Sequence, residues 1–133
     1  MMIFSKRLML LTLGCALAFS CRTTRSAMVD PATETSIVFE PDAQYASMRI
    51  PALVMTKQQS LLAFCEARIG TASDWADMNL VMRRSTDGGR SWSAIHVIDS
   101  FRGGPVGNPT PIVDDKGTVH LLFQKDYKEV WYT

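Results

Sequence analysis

The octapeptide Ser85-Thr86-Asp87-Gly88-Gly89-Arg90-Ser91-Trp92 constrains this chain more than any other stretch. It has the physics of a tight hairpin. Asp87 can accept hydrogen bonds from backbone N–H groups inside its own turn. Gly89 can take φ > 0 at no steric cost. Trp92 returns the chain to an extended run and covers the turn with a large apolar side chain. The motif predicts a β-turn between the runs at 79–85 (NLVMRRS) and 95–98 (IHVI).

The rest of the chain repeats that rhythm. Short β-rich runs lie at 36–39 (SIVF), 48–55 (MRIPALVM), 60–68 (SLLAFCEAR), 110–113, 118–123 and 130–133. Pro51 puts an irregularity into the second of them. Turn signals separate the runs: Asp87-Gly88-Gly89, Gly103-Gly104-Pro105 and Asp114-Asp115-Lys116-Gly117. SLLAFCEAR has helical propensity, but its flanking turns and strand-like neighbours favour a strand. Strands spaced by about ten residues indicate an all-β sandwich, barrel or propeller.

The first residues stand outside this pattern. Lys6 and Arg7 precede an apolar run over 8–19, LMLLTLGCALAF, and small residues follow. That is the layout of a secretory signal peptide, expected over residues 1–21, and the run is short for a membrane span. A retained anchor is the alternative. Ala18-Phe19-Ser20 fits cleavage before Cys21. The same residues resemble a bacterial lipobox, with bulky Phe19 as a departure, so Cys21 is a candidate lipidation site and route to membrane attachment. Residues 22–35 are polar and read as a linker. With Cys15 in the signal and Cys21 at its end, Cys65 stands alone in an apolar run. A disulfide framework is not indicated, and Cys65 reads as a buried small hydrophobe.

Composition excludes little else. The chain has 133 residues, 47% hydrophobic and 20% charged, with net charge +1. Charges of both signs are mixed along it, so no basic patch points to nucleic acid.

Several pieces together carry a family resemblance. Ser85, Asp87, Gly89 and Trp92 fit S-x-D-x-G-x-x-W, the Asp box, in which the aspartate is structural. Arg49-Ile50-Pro51 resembles a first-blade RIP signature, with Met48 where an aromatic is frequent. Phe64-Cys65-Glu66-Ala67-Arg68 resembles a second-strand segment that ends in an arginine. Asp74 lies nine positions before Arg83. Gly107-Asn108-Pro109-Thr110-Pro111-Ile112-Val113-Asp114 and Val119-His120-Leu121-Leu122-Phe123 resemble a second blade. From residue 36 onward the chain is similar to the N-terminal part of bacterial-type exo-α-sialidases of the Asp-box β-propeller family.

The resemblance implies the first blades of a six-bladed propeller, about two of them over residues 36–133, incomplete in this chain. It implies an N-terminal piece of a retaining exo-α-sialidase, one not expected to turn over substrate alone. Sialylated glycans would be its partners, with no cofactor and no metal. Arg49 would bind the sugar carboxylate, since a planar guanidinium can make two parallel charge-assisted bonds to it. Arg68 would border the pocket, a structural ion pair with Glu66 or Asp77 being the competing reading. Asp74 would be the proton donor to the leaving oxygen, with Asp77 as competitor. Sialidases use a tyrosine nucleophile. In the family it lies near the C-terminal end with its glutamate and two further arginines. Tyr45, Tyr127 and Tyr132 are read as packing or capping residues, and His96 and His120 as structural. The Asp box also fits a non-catalytic glycan-binding propeller or a glycosidase of another specificity, and transfer rather than hydrolysis stays open.

Overall fold

The computed structural model describes residues 35–133. The export signal over residues 1–21, Cys21, and all but the last residue of the linker over 22–35 lie outside the described residues. Those described contain seven strands and no helix: β1 (Tyr45–Met55), β2 (Leu61–Ile69), β3 (Met78–Ser85), β4 (His96–Phe101), β5 (Val106–Val113), β6 (Val119–Lys125) and β7 (Glu129–Tyr132). Strands β1 to β4 form one antiparallel sheet in chain order, and β5 to β7 form a second. Each sheet is a meander, the arrangement that short turns between neighbouring antiparallel strands produce. In the β5–β6 turn Asp114 Oδ1 accepts the N–H groups of Lys116 and Thr118 at 2.9 and 2.8 Å, and Gly117 takes φ 91°.

The residues at 36–39 do not form the strand that SIVF suggests. A short β-rich run needs a ladder partner, and these residues bind across the first sheet through side chains instead. Arg83 Nη1 donates to the Val38 carbonyl at 3.0 Å, and Trp92 Nε1 donates to Ser36 Oγ at 3.2 Å. Phe39 packs on a core of Tyr45, Cys65, Ala67 and Val81.

Alternation sorts the strand residues into two faces. On β2 the odd positions Cys65 and Ala67 join that core, while Phe64 joins Met78, Leu80, Val106, Leu121 and Phe123 in a second core shared by both sheets. Because β2 is covered on both faces, residues 63–68 are all buried. Glu66 and Arg68 share the face of Phe64, so two charged groups enter the packing between the sheets.

The first strand of each sheet carries the same irregularity. On β1, Arg49 pairs Glu66 and Ala52 pairs Phe64, so three steps on β1 face two on β2. On β5, Gly107 pairs Gln124 and Thr110 pairs Leu122. Each shift is a bulge of one extra residue. Each contains a residue at positive φ followed by proline: Ile50 (φ 51°) before Pro51, and Asn108 (φ 52°) before Pro109. The two bulged strands lie against one another.

Candidate active site

Three residues reach one place from two strands and a turn. Arg49 stands on β1 immediately before its bulge, Arg68 near the end of β2, and Asp74 in the β2–β3 turn. Arg68 Nη1 lies 2.6 Å from Asp74 Oδ1, and Arg49 Nη1 lies 4.0 Å from the same oxygen. Exposure separates the two arginines: the Arg49 side chain is 52% exposed and the Arg68 side chain 1%. Arg49 and Asp74 therefore present a cation and a carboxylate to solvent, and Arg68 supports them from below.

The Arg68 guanidinium is held on several sides. Nη2 donates to Glu66 Oε2 at 2.9 Å and Nη1 to the Ala72 carbonyl at 2.7 Å, while buried Nε has no partner among the described residues. Burial works against its charge, but hydrogen bonds to Glu66 and Asp74 outweigh this and push the guanidinium above its ordinary value. Of the two ion-pair partners open from the sequence, Glu66 is the one in contact. Asp77 is occupied elsewhere, its Oδ1 accepting the Gly103 N–H at 2.8 Å. The other Glu66 oxygen crosses to the second sheet, where Oε1 accepts the Asn108 N–H at 3.0 Å.

The turn that carries Asp74 is also tied to the second sheet. The Tyr127 hydroxyl donates to the Asp74 carbonyl at 3.1 Å, and its ring meets Trp75 edge to face at 5.0 Å. Burial and the charges of Glu66 and Asp74 raise the Tyr127 phenol above its ordinary value. Tyr45 is buried, its hydroxyl accepting from Asn79 Nδ2 at 2.8 Å. Tyr132 reaches His120 Nδ1 at 2.6 Å, away from this cluster, and His120 Nε2 lies 3.3 Å from Asp114 Oδ2. Under the cluster, the Cys65 thiol donates to the Arg49 carbonyl at 3.1 Å. Burial, aided by the Glu66 charge, pushes that thiol up to about 12.

The motif at 85–92 forms a closed turn. Asp87 Oδ1 accepts from Ser85 Oγ at 2.7 Å and from the Ser91 N–H at 3.0 Å, and Oδ2 accepts from Ser91 Oγ. These bonds, led by Ser91, hold the Asp87 carboxyl well below the usual carboxylate range. Ser85 Oγ in turn accepts the Gly89 N–H at 2.8 Å, and Gly89 has φ 92°. Trp92 Nε1 donates back to the Gly89 carbonyl at 3.1 Å. These side-chain bonds of Ser85, Asp87 and Trp92 stay within the turn or reach Ser36, and none of them reaches Arg49, Arg68 or Asp74.

Sequence reasoning did not find the second bond of Glu66, the space Gly107 leaves for it, or the Trp75–Tyr127 pair. One signal was available. Glu66 and Arg68 stand two apart on one strand, so they share a face, and a buried charged pair on one face calls for further partners.

Comparison with known proteins adds the following. No protein-family model matches the chain. An exo-α-sialidase of Aspergillus fumigatus is 40% identical over 84 residues, which is 59% of this chain and 21% of that protein. An exo-α-sialidase of Arthroderma benhamiae is 36% identical over 84 residues, covering 59% of this chain and 20% of the relative. A sialidase of Bacteroides fragilis is 33% identical over 84 residues, covering 56% and 15%. Among solved structures, a Hadza microbial sialidase superposes with a TM-score of 0.54 at 30% identity, over 60% of this chain and 18% of its own. The chain thus spans about a fifth of the length of the relatives it matches. In that span it is sialidase-like in sequence and in its all-β, antiparallel fold, that of part of a β-propeller.

Proposed function

We propose that these residues are part of an exo-α-sialidase that removes terminal sialic acid from glycans with retention of configuration. The observation that carries the reading is the convergence of Arg49 and Arg68 on Asp74 at 4.0 and 2.6 Å. The sialidase relatives, each matched over a small part of its length, support it.

The chemistry follows from charge. The cluster holds two guanidinium groups, Arg49 and Arg68, and two carboxyl groups, Glu66 and Asp74. An anionic sugar brings a third carboxylate. Arg49, the exposed guanidinium, binds it through paired N–H donors. Asp74 stands beside the anomeric centre and, in its protonated form, gives that proton to the leaving oxygen as the glycosidic C–O bond breaks. Buried Arg68 holds Asp74 in place. The family resemblance supplies a tyrosine nucleophile from elsewhere in the protein, and none of Tyr45, Tyr127 and Tyr132 takes that role. The protein is exported by its N-terminal signal, with Cys21 as the lipid attachment point, and meets sialylated glycans outside the cytoplasm.

The test is turnover of a fluorogenic sialoside by the full-length gene product and its Asp74→Asn variant. Loss of about 10²-fold or more in kcat is expected for removal of a general acid. Unchanged turnover removes Asp74 from the mechanism, and a wild-type protein without sialidase activity removes the function. A mobility shift of the precursor under globomycin tests the lipid at Cys21.

A further inference from the structure

We infer that Glu66 is a positioning residue for the proton donor: it fixes Asp74 through Arg68 and anchors both to the backbone of the second sheet. The inference rests on the proposed function and extends it to a residue that does not touch substrate.

Glu66 is 1% exposed, and each of its oxygens has one partner. Oε2 takes Arg68 Nη2 and Oε1 takes the Asn108 N–H, 42 residues along the chain. Arg68 passes the constraint on, because Nη1 reaches both Asp74 Oδ1 and the Ala72 carbonyl within the turn that carries Asp74. The result is a continuous path from Asn108 through Glu66 and Arg68 to Asp74. Asp74 itself is 63% exposed on a turn. Beyond Arg68, its carboxylate has only Arg49 among the described residues, at 4.0 Å. A carboxylate so placed keeps a productive position only if the groups behind it are rigid. Glu66 supplies that rigidity and also shares the Arg68 charge. Without the Glu66 charge, Arg68 would be a buried cation whose remaining anionic partner is Asp74. Asp74, already 2.6 Å from Arg68, would then carry that ion pair alone, and Arg68 would lose the tie to the second sheet that fixes the position of both.

This predicts a selective defect. A sugar leaving group needs protonation, whereas a 4-nitrophenolate leaves with little help. In the full-length gene product, Glu66→Gln keeps the side-chain shape and removes the charge. We expect kcat/KM for sialyllactose, relative to that for 4-nitrophenyl sialoside, to fall about tenfold or more, as an ångström of misplacement does elsewhere. A defect of folding alone would lower both by one factor, and that outcome, or an unchanged ratio, overturns the inference. Should Glu66→Gln not fold, Glu66→Asp keeps the charge, shortens the reach and is read through the same ratio. A wild-type protein that cleaves neither substrate overturns the proposed function first, before any variant is made.

Discussion

Glu66 occupies the volume that a side chain at Gly107 would need. A Cβ built on Gly107 would fall inside the van der Waals shells of Glu66 Oε1, Cδ and Cγ. Gly107 is not among the residues at positive φ, so the demand here is for space and not for a dihedral angle. The second sheet thus leaves a notch into which the first inserts a charged group.

Gly107→Ala should therefore be costly. The added methyl must push Glu66 off the Asn108 N–H or off Arg68, and a buried pair broken in this way costs about 3 kcal/mol or more. Urea denaturation of the variant beside wild type measures it. A midpoint within error of wild type would show that Glu66 has room to move.

Arg49→Lys should separate binding from stability. Arg49 is half exposed and its nearest carboxylate is at 4.0 Å, so the folded state gains little from it. A lysine cannot grip a carboxylate with two parallel bonds. Thermal unfolding should stay at the wild-type midpoint while kcat/KM on a sialoside falls about 10²-fold in the full-length gene product, the loss of a charge-assisted pair. A variant that binds as well as wild type would assign the carboxylate to another group.

The Asp87 turn should make the fold acid-sensitive. Its carboxyl lies below the usual range in the folded chain, through bonds from Ser91 and Ser85. Its contribution to stability is fully present above the unfolded value of about 3.9 and is lost as pH falls below it. Asp87→Asn removes the titrating group. Unfolding midpoints taken from pH 7 to pH 3 should decline less steeply in the variant, which starts lower at neutral pH. Parallel declines would mean that other carboxyl groups set the acid limb.

Cys65 should be inert in the native chain. Its thiol is buried, donates to the Arg49 carbonyl and is pushed up to about 12. Thiolate is the reactive form. Iodoacetamide at pH 8, followed by mass mapping of the Cys65 peptide, should find it unmodified until denaturant is added. Rapid native labelling would show that β2 opens locally.

Much of the fold was legible because its determinants are local. The turn at 85–92 and the Asp114–Gly117 turn contain their own partners, and the β2 run is bounded by turns on both sides. The SIVF run failed because extended structure at 36–39 depends on a neighbour that sequence alone does not supply. At the candidate site, Arg49 and Arg68 come from the resemblance, and Asp74 from the resemblance together with its spacing to Arg83. The Glu66–Asn108 bond joins residues 42 apart in different sheets, and no local pattern announces it. Spacing to Arg68 and Arg83 favours Asp74 over Asp77; in the structure Arg68 reaches Asp74, and Gly103 folds back onto Asp77.

The paired bulges at Ile50 and Asn108 bear on how such a structure can change. A β-branched residue at φ 51° is strained by about 1–3 kcal/mol, and the ladders on either side of the joint absorb that strain. What stands beside the joint is a separate matter: a guanidinium on one sheet, a backbone N–H on the next. The scaffold repeats while its fittings differ. New specificity can then arise by exchanging the side chain that precedes a bulge, as Arg49 does, with the hydrogen-bond ladders left intact.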